Sequence, residues 1–146
     1  MRLTLYTDFA LRMLMYLSLA GDQPSTIQEV ASAYGISRNH LMKVAQKLGQ
    51  LGFVENIRGR GGGMRLARRP EDIRLGDVVR GTEEDFRQVE CFDAERNTCV
   101  LTPACCLKSI LSSALSAYFD VLDQHTLADL KARPAAMRQI LGLSAA

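Results

Sequence analysis

The stretch TIQEVASAYGISRNHLMKVAQKLGQLG, residues 26–52, decides the fold, because it carries the start and stop signals of two short consecutive helices. Thr26 and Glu29 have the spacing of a capping box, which predicts that the first helix begins there. Ser37 is placed to cap the second helix, in which apolar residues recur every three or four positions until Gly52 ends it. Two short helices joined by the turn YGIS predict a helix-turn-helix.

A hairpin rich in glycine and arginine is predicted directly after the second helix. Residues 53–57 and 64–67 have strand-like composition, and the glycines between them suit a tight turn. The segment from Arg58 to Arg69 contains five arginines and no acidic residue. A slender basic arm of this kind is typical of a wing that enters the minor groove of DNA, so the two patterns together predict a DNA-binding module.

The candidate DNA-binding residues lie at the start of the second helix and in the wing. Arg38 has the side chain to recognise guanine and Asn39 to recognise adenine, each through paired hydrogen bonds to base edges. Lys43 lies further along, where it suits a phosphate. The full candidate set is Ser37, Arg38, Asn39, His40, Lys43, Arg58 and Arg60. A nucleotide-binding P-loop is excluded, because the glycine-rich tip lacks the GxxxxGK[ST] motif.

The rest of the chain predicts further helices and one long loop. Apolar spacing before Gly21 predicts a first helix, and DIRLGDVVRG, residues 72–81, predicts a short one. Residues 82–102 lack periodicity and hold six of the sixteen acidic residues, which indicates a functional loop. Thr102-Pro103 then predicts the start of a helix of about 23 residues, and a helix that long needs a partner such as a second copy of itself. Shorter helices are predicted near residues 126–132 and 135–142.

Composition and charge indicate a globular protein with a basic half and an acidic half. Hydrophobic residues make up 47% of the chain, and no apolar run approaches the roughly 18 residues of a membrane span. Asp8 and Arg12 interrupt the N-terminal apolar stretch, so we expect no signal peptide, no membrane association and a cytoplasmic location. Residues 1–82 carry a net charge of +5 and residues 83–146 a net charge of −3, so the basic part suits a polyanion.

All four cysteines lie within sixteen residues, and in a cytoplasmic protein such a group usually binds a metal or performs redox chemistry. Cys91, Cys99 and Cys105 are separated by seven and then five residues, and Cys106 adjoins the last. We expect Cys105 and Cys106 in the first turn of the long helix, where neighbouring side chains point in different directions. Three of the thiols are therefore good ligands for one site.

The absence of typical zinc-ligand spacings indicates which kind of metal site the cysteines form. Structural zinc usually takes close cysteine pairs such as C-x₂-C, which are absent, and both histidines, His40 and His125, lie far from the cysteines. The fourth ligand is then a carboxylate, a water or a group from another subunit. Three thiolates with a weaker fourth ligand suit a reactive iron–sulfur cluster. A thiol or disulfide switch without metal remains the alternative.

An enzyme is the main rival from another class of function. A small thiol oxidoreductase would use Cys105-Cys106, but the chain has neither a C-x-x-C motif nor a βαβ pattern. It also shows no Ser/His/Asp arrangement for nucleophilic catalysis. We therefore predict that the protein is not an enzyme.

The chain resembles the winged-helix repressors that carry iron–sulfur clusters, the family of NsrR, IscR and RirA. The likeness covers nearly the whole length and includes LTLYTDFALRMLMYL, YGISRNHLMKV, IRGRGGGMRLA, GDVVR and the three spaced cysteines. IscR-like members place a histidine just after the third cysteine, where this chain has Leu107. RirA-like members share the cysteine spacing. YGISRNHLMKV, LTPAC and HTLADL are most similar to the nitric-oxide-sensing NsrR group.

The resemblance implies a function and a set of ligands. It implies a homodimeric repressor that binds an inverted-repeat operator on double-stranded DNA and releases it when nitric oxide nitrosylates a bound iron–sulfur cluster. The implied ligands are Cys91, Cys99 and Cys105 with Asp8 of the partner subunit, and Cys106 has no counterpart in the family motif. Three cysteines and one oxygen ligand favour [4Fe-4S] over [2Fe-2S]. An iron-responsive repressor, as in RirA-like members, is the alternative signal.

Together these patterns predict a mainly α fold: a winged helix-turn-helix DNA-binding domain with a small β-hairpin wing and a long C-terminal dimerisation helix. We expect the DNA-binding domain at residues 1–81 and the cluster-binding loop at residues 82–102. The dimerisation helix and the C-terminal helices are expected at residues 103–146.

Overall fold

The computed structural model describes residues 2–143, which form six α-helices and one two-stranded antiparallel sheet. This is the predicted mainly α winged helix-turn-helix. The helices are α1 (Leu5–Ala20), α2 (Ile27–Tyr34), α3 (Arg38–Gln50), α4 (Leu75–Thr82), α5 (Leu107–Asp123) and α6 (Pro134–Ile140). The strands are β1 (Val54–Ile57) and β2 (Gly63–Leu66), and short 3-10 turns lie at Pro70–Asp72, Glu90–Phe92 and Leu127–Leu130.

The helix-turn-helix is built on α1, which packs against α3 and α4 and contributes the most fully buried side chains. The predicted capping box is confirmed: the Glu29 amide donates to Thr26 Oγ1 at 3.2 Å, and the Thr26 amide donates to Glu29 Oε2 at 2.6 Å. The predicted stop at Gly21 is also confirmed, since this residue follows α1 with φ 72°. These local signals mark the end of α1 and the start of α2.

The start of α3 differs slightly from the prediction, whereas its end is as predicted. Ser37 occupies the N-cap position, but its side chain makes no capping hydrogen bond to the described residues. The helix ends at Gln50 with Leu51 as C-cap, and Gly52 follows with φ 72°. The Gly52 amide donates to the Gly49 carbonyl at 3.0 Å and the Phe53 amide to the Leu48 carbonyl at 2.9 Å, so Gly52 stops the helix.

The wing is held against the start of α2 by a backbone bridge. The strands pair from Val54 with Leu66 to Ile57 with Gly63. Ser25 extends this sheet, since its amide donates to the Met64 carbonyl at 2.8 Å and its carbonyl accepts from the Met64 amide at 2.7 Å. A Cβ atom at Gly63 would lie 2.7 Å from the Ser25 carbonyl oxygen, so only glycine permits this approach.

The long C-terminal helix begins later than predicted. It runs from Leu107 and has 17 residues rather than about 23. Thr102 does not cap it, because its hydroxyl donates to the Cys99 carbonyl at 2.9 Å within a turn. The Thr102-Pro103 pair therefore belongs to the loop that precedes the helix.

The chain returns to the N-terminal core after α5. Leu127 is fully buried against that core, and its amide donates to the Ile73 carbonyl at 2.8 Å. The Leu75 amide donates to the His125 carbonyl at 3.0 Å. The chain therefore leaves the core after α4, forms a loop and α5, and returns beside residues 73–75. None of the described helices is long and apolar enough to cross a membrane.

Candidate functional site

The start of α3 presents the predicted base-reading side chains on the protein surface. Ser37, Arg38, Asn39, His40 and Lys43 are all exposed, whereas the opposite face of the helix is buried in the core. An exposed polar first turn is the part of a recognition helix that enters a major groove. All five residues are therefore accessible to a partner at the start of α3.

Two aromatic side chains of α1 support this face from behind. The Phe9 ring stacks on His40 with centroids 6.1 Å apart and an interplanar angle of 25°. The Tyr6 hydroxyl donates to the Lys43 carbonyl at 2.9 Å. Burial raises the pKa of Tyr6 above its ordinary 10.0, so the hydroxyl stays protonated and available as a donor. Neither contact was predicted, because both join residues more than 30 positions apart in the sequence.

The arginines of the wing divide into structural and free ones. Arg65 pairs with Glu55 at 2.6 Å, Arg68 lies 5.4 Å above the Phe53 ring, and Arg69 pairs with Asp72 at 3.0 Å. These three arginines stabilise the hairpin and the turn that follows it.

The other two arginines lie at the tip. Arg58 and Arg60 are exposed and form no ion pair with the described residues. Unpaired cations on a slender arm are available to an external anion such as a DNA phosphate. The two arginines selected from the sequence are therefore the ones the fold leaves free.

An open groove lies between the recognition helix and the wing. The residues that line it come from α2, α3 and both strands: Thr26, Ile27, Gln28, Arg38, Asn56, Ile57, Gly63 and Met64. Met64, which lines the groove, is bridged to Ser25, and this pairing ties the wing to the start of α2. Sequence reasoning identified only Arg38 among these residues, because the groove depends on packing of distant segments.

The three spaced cysteines line one small pocket. The pocket has a volume of about 160 Å³, and its wall includes Cys91, Cys99 and Cys105 together with Glu90, Thr102 and Lys108. Cys106 does not line it. The three cysteines that the sequence grouped as candidate ligands therefore line one pocket, although they lie on separate segments of the loop.

Hydrogen bonds within the connection between α4 and α5, residues 83–106 and here called the cysteine loop, hold the pocket walls together. The Thr98 hydroxyl donates to Glu90 Oε1 at 2.6 Å, which ties the Cys91 wall to the Cys99 wall. Hydrogen bonds from Thr98 also lower the pKa of Glu90 below its ordinary value. The Cys99 amide donates to Asn97 Oδ1 at 3.2 Å. Polar side chains, more than apolar packing, therefore shape this loop.

The expected positions of Cys105 and Cys106 require a correction. Cys105 precedes α5 and Cys106 is its N-cap residue, so neither lies in the first helical turn. The reason is the later start of the helix at Leu107. All four cysteines are free thiols; Cys91 is partly buried and the other three are exposed.

The chemistry of the pocket fits a soft metal, although its present geometry is open. No group of three or more His, Cys, Asp or Glu within residues 2–143 is arranged to hold a metal ion. Three thiols around one pocket nevertheless are donors of the kind that hold iron–sulfur clusters in proteins. Asp8 does not line the pocket and pairs instead with Arg12 at 2.8 Å on the exposed side of α1.

A family model for Rrf2, described as an iron-dependent transcriptional regulator, matches residues 3–133. The chain belongs to the Rrf2 family. It is 58% identical over 133 residues to the HTH-type transcriptional regulator NsrR of Bacillus subtilis, covering 89% of this chain and 90% of that protein. The NsrR of Bacillus licheniformis is 51% identical over 142 residues, which are 97% of this chain and 99% of that protein. The predicted resemblance to NsrR-like regulators is confirmed.

Solved structures of Rrf2-type regulators share the fold. CymR, the global cysteine regulator of B. subtilis, matches with a TM-score of 0.73 and 26% identity over 89% of this chain and 95% of that one. IscR of T. potens matches with a TM-score of 0.70 and 26% identity, covering 89% of this chain and 85% of that one. Together with the exposed recognition face, this family membership identifies a DNA-binding transcriptional regulator.

Proposed function

We propose that this Rrf2 protein is a homodimeric repressor that senses nitric oxide through an iron–sulfur cluster and releases an inverted-repeat operator in response. The observation that carries the proposal is the cysteine pocket: the three spaced cysteines line it and Cys106 does not. Three thiols around one pocket are donors of the kind that hold an iron–sulfur cluster.

The residues that would hold the cluster are Cys91, Cys99 and Cys105, with Asp8 of a second copy as the oxygen ligand. Asp8 lies outside the pocket of its own chain, so its participation requires a dimer. The three thiols and one carboxylate favour [4Fe-4S] over [2Fe-2S]. When bound, the cluster would supply iron atoms that react with nitric oxide. The contribution of this chain is to hold the three thiols on one side and to leave the fourth position to a weaker, displaceable carboxylate.

The apolar pattern of α5 supports the dimer. In the structure this helix shows two apolar faces rather than one. The first face is partly buried against α4 and the cysteine loop and includes Leu115, Tyr118 and Leu122. The second face is exposed and follows the 3-4-3-4 spacing of a coiled-coil seam: Leu107, Ile110, Ala114, Ala117 and Val121.

Exposure of large side chains on this seam is unusual for a monomer. Leu107 is 49% exposed, Ile110 60% and Val121 56%. A second copy that packs its own α5 on this face would bury all of them. We propose residues 1–81 as the DNA-binding domain, residues 82–102 as the cluster-binding loop and residues 103–146 as the dimerisation region.

Two heads related by a two-fold axis would present two α3 helices and two wings to the same face of DNA. Arg38 and Asn39 are exposed for contact with base edges, while Lys43, Arg58 and Arg60 are exposed cations for phosphates. An inverted repeat is the operator that such a symmetric reader fits.

The test uses full-length protein that has been purified anaerobically and reconstituted with iron and sulfide. Operator binding is measured while nitric oxide is added, and separately while an iron chelator is added. We expect nitric oxide to weaken operator binding at stoichiometric concentration, in the range of about 5- to 150-fold that allosteric coupling supplies.

The other outcomes each favour a different function. Loss of DNA binding with chelator alone, and none with nitric oxide, would identify an iron-responsive repressor. A colourless protein that carries only zinc would contradict the cluster. Response to a thiol oxidant in metal-free protein would identify a thiol switch.

A further inference from the structure

The cysteine loop is connected to the recognition helix by contacts at the start of α1. The loop begins with Glu83, whose carboxylate Oε1 accepts from the Thr4 amide at 2.8 Å and from the Thr4 hydroxyl at 3.0 Å. Thr4 is the N-cap residue of α1. The first residue of the loop therefore binds the residue that starts the helix supporting α3.

The connection continues from α1 to α3. Tyr6 lies in the first turn of α1, and its hydroxyl donates to the Lys43 carbonyl at 2.9 Å. One turn further along, the Phe9 ring stacks on His40. Both contacts reach α3, whose exposed side is the candidate DNA-binding surface. A movement of the start of α1 would therefore also move the start of α3.

Polar contacts hold the segment between Glu83 and the cysteine pocket, beginning at Asp85, two residues after Glu83. Arg87 donates to Asp85 Oδ2 at 2.6 Å through Nη2, and through Nη1 it pairs with Asp93, two residues after Cys91. The Thr98 hydroxyl then links to Glu90, next to Cys91, at 2.6 Å. The segment from the pocket wall to Glu83 is thus held by ion pairs and hydrogen bonds, together with the edge-to-face contact of Phe86 with Phe119 of α5.

We propose that Glu83 and Tyr6 are positioning residues that transmit the state of the cysteine loop to α3 through the first turn of α1. The inference rests on the proposed function, because it presumes that the loop responds to a signal. A change in the loop that displaces Glu83 loosens the N-terminus of α1, and Tyr6 then no longer holds the Lys43 carbonyl. The direction of the recognition turn changes without any direct contact between the cysteines and DNA.

The test compares three variants of the full chain. Tyr6→Phe removes one hydroxyl and keeps the ring, and Glu83→Ala removes the carboxylate that binds Thr4. Glu84→Ala is the matched control, since Glu84 is the next residue, is exposed and makes no hydrogen bond or ion pair with the described residues. For each protein, operator affinity is measured before and after nitric oxide, and the ratio of the two dissociation constants is compared.

We expect Tyr6→Phe, which loses one hydrogen bond, and Glu83→Ala, which loses the two that Glu83 accepts from Thr4, each to reduce that ratio by about five-fold, while Glu84→Ala leaves it unchanged. The double variant Tyr6→Phe/Glu83→Ala is expected to resemble either single variant, because the two residues act in series. A wild-type ratio of one contradicts the proposed function. A wild-type response with unchanged ratios in both single variants overturns this inference alone.

A second measurement needs no cluster. In metal-free protein, amide hydrogen exchange in α3 is expected to rise several-fold at residues 41–47 in Glu83→Ala, although residue 83 does not hydrogen-bond to α3. Tyr6→Phe should raise exchange at the same amides, and Glu84→Ala should not. Identical exchange in wild type and Glu83→Ala would show that the loop and α3 are independent.

Discussion

At the scale of single residues, the wing separates arginines that stabilise the hairpin from those that are free for DNA. Composition identified the whole arginine-rich segment but not this division. Pairing of Arg65 with Glu55 depends on strand register, and the position of Arg68 over Phe53 depends on packing. The sequence nevertheless indicated Arg58 and Arg60, because the glycine-rich tip that carries them has the slender, flexible character of an arm that enters a groove of DNA.

Arg60→Ala is expected to weaken operator binding and to reduce the slope of log K against log salt by about one. The reason is the loss of one phosphate contact and of the counterion that it releases. The matched control is Arg96→Ala, which removes an exposed arginine of the cysteine loop and should leave the slope unchanged. Titrations of operator DNA at several salt concentrations measure both. An unchanged slope in Arg60→Ala would remove this residue from the interface.

Cys99→Ser and Cys106→Ser separate the pocket thiols from their neighbour. Cys99 lines the pocket and Cys106 does not, so the first substitution should abolish most of the iron bound on anaerobic reconstitution while the second retains it. Iron and sulfide analysis with visible absorption provides the measurement. Both thiols are exposed, which makes an effect of the substitutions on folding small. Full iron content in Cys99→Ser would show that the ligand assignment is wrong.

At the scale of elements, the sequence correctly predicted the helix ends that are determined by residues a few positions away. The capping box of α2 and the glycine after α1 act within a few residues, and both were correct. The start of α5 was not, because Thr102-Pro103 suits the first turn of a helix and a tight turn equally well. The hydrogen bond from Thr102 to the Cys99 carbonyl decides between them, and it depends on how the loop folds.

The wing depends on the bridge to Ser25, which gives Gly63 a specific role. Gly63→Ala would place a Cβ 2.7 Å from the Ser25 carbonyl oxygen, and we expect a loss of about 1–3 kcal/mol in the free energy of unfolding. Thermal unfolding measures it. Arg58→Ala is the contrast: this exposed residue should lower DNA affinity and leave the unfolding temperature within error. Equal unfolding temperatures for wild type and Gly63→Ala would mean that the backbone hydrogen bonds between Ser25 and Met64 do not contribute to stability.

The junction of α4 and α5 predicts a pH dependence. Arg80 donates to Asp123 at 2.8 and 2.6 Å, and this hydrogen bonding lowers the pKa of Asp123 below its ordinary 3.8. Because the folded-state pKa is lowered, the stabilisation is present above the ordinary pKa and is lost as the pH falls through the lowered one. The difference in unfolding temperature between wild type and Asp123→Asn should therefore be constant near neutral pH and shrink below about pH 4.

Asp120→Asn is the control for this measurement, since Asp120 lies on the same helix and is exposed. Its difference from wild type should be smaller than that of Asp123→Asn at neutral pH. A difference for Asp123→Asn that stays constant between about pH 6 and pH 3 would show that the pair with Arg80 does not stabilise the junction.

At the scale of the whole molecule, the sequence pattern of α5 was correct but incomplete. Apolar residues recur at three- and four-residue steps, and the pattern alone cannot show which of them meet the same chain. The structure assigns Leu115, Tyr118 and Leu122 to the partly buried side and leaves a second apolar row exposed. The return of Leu127 to the core was also not predicted, because it depends on contacts with residues such as Ile73, which lies more than fifty positions earlier in the sequence.

The exposed row of α5 makes the oligomeric state the decisive property of the whole molecule. Ile110→Glu places a charge within the seam, where a dimer would have to bury it twice, once from each copy, and should raise the dimer dissociation constant by about 100-fold or more. Ile110 is 60% exposed in the single chain, so the fold itself should remain intact. Ser116→Glu puts the same charge on the opposite side of the helix and should leave the dimer unchanged. Light scattering after gel filtration distinguishes them; if Ile110→Glu retains the wild-type mass at micromolar concentration, the subunits do not meet along this row, and Asp8 cannot reach the partner's cysteines by the route proposed.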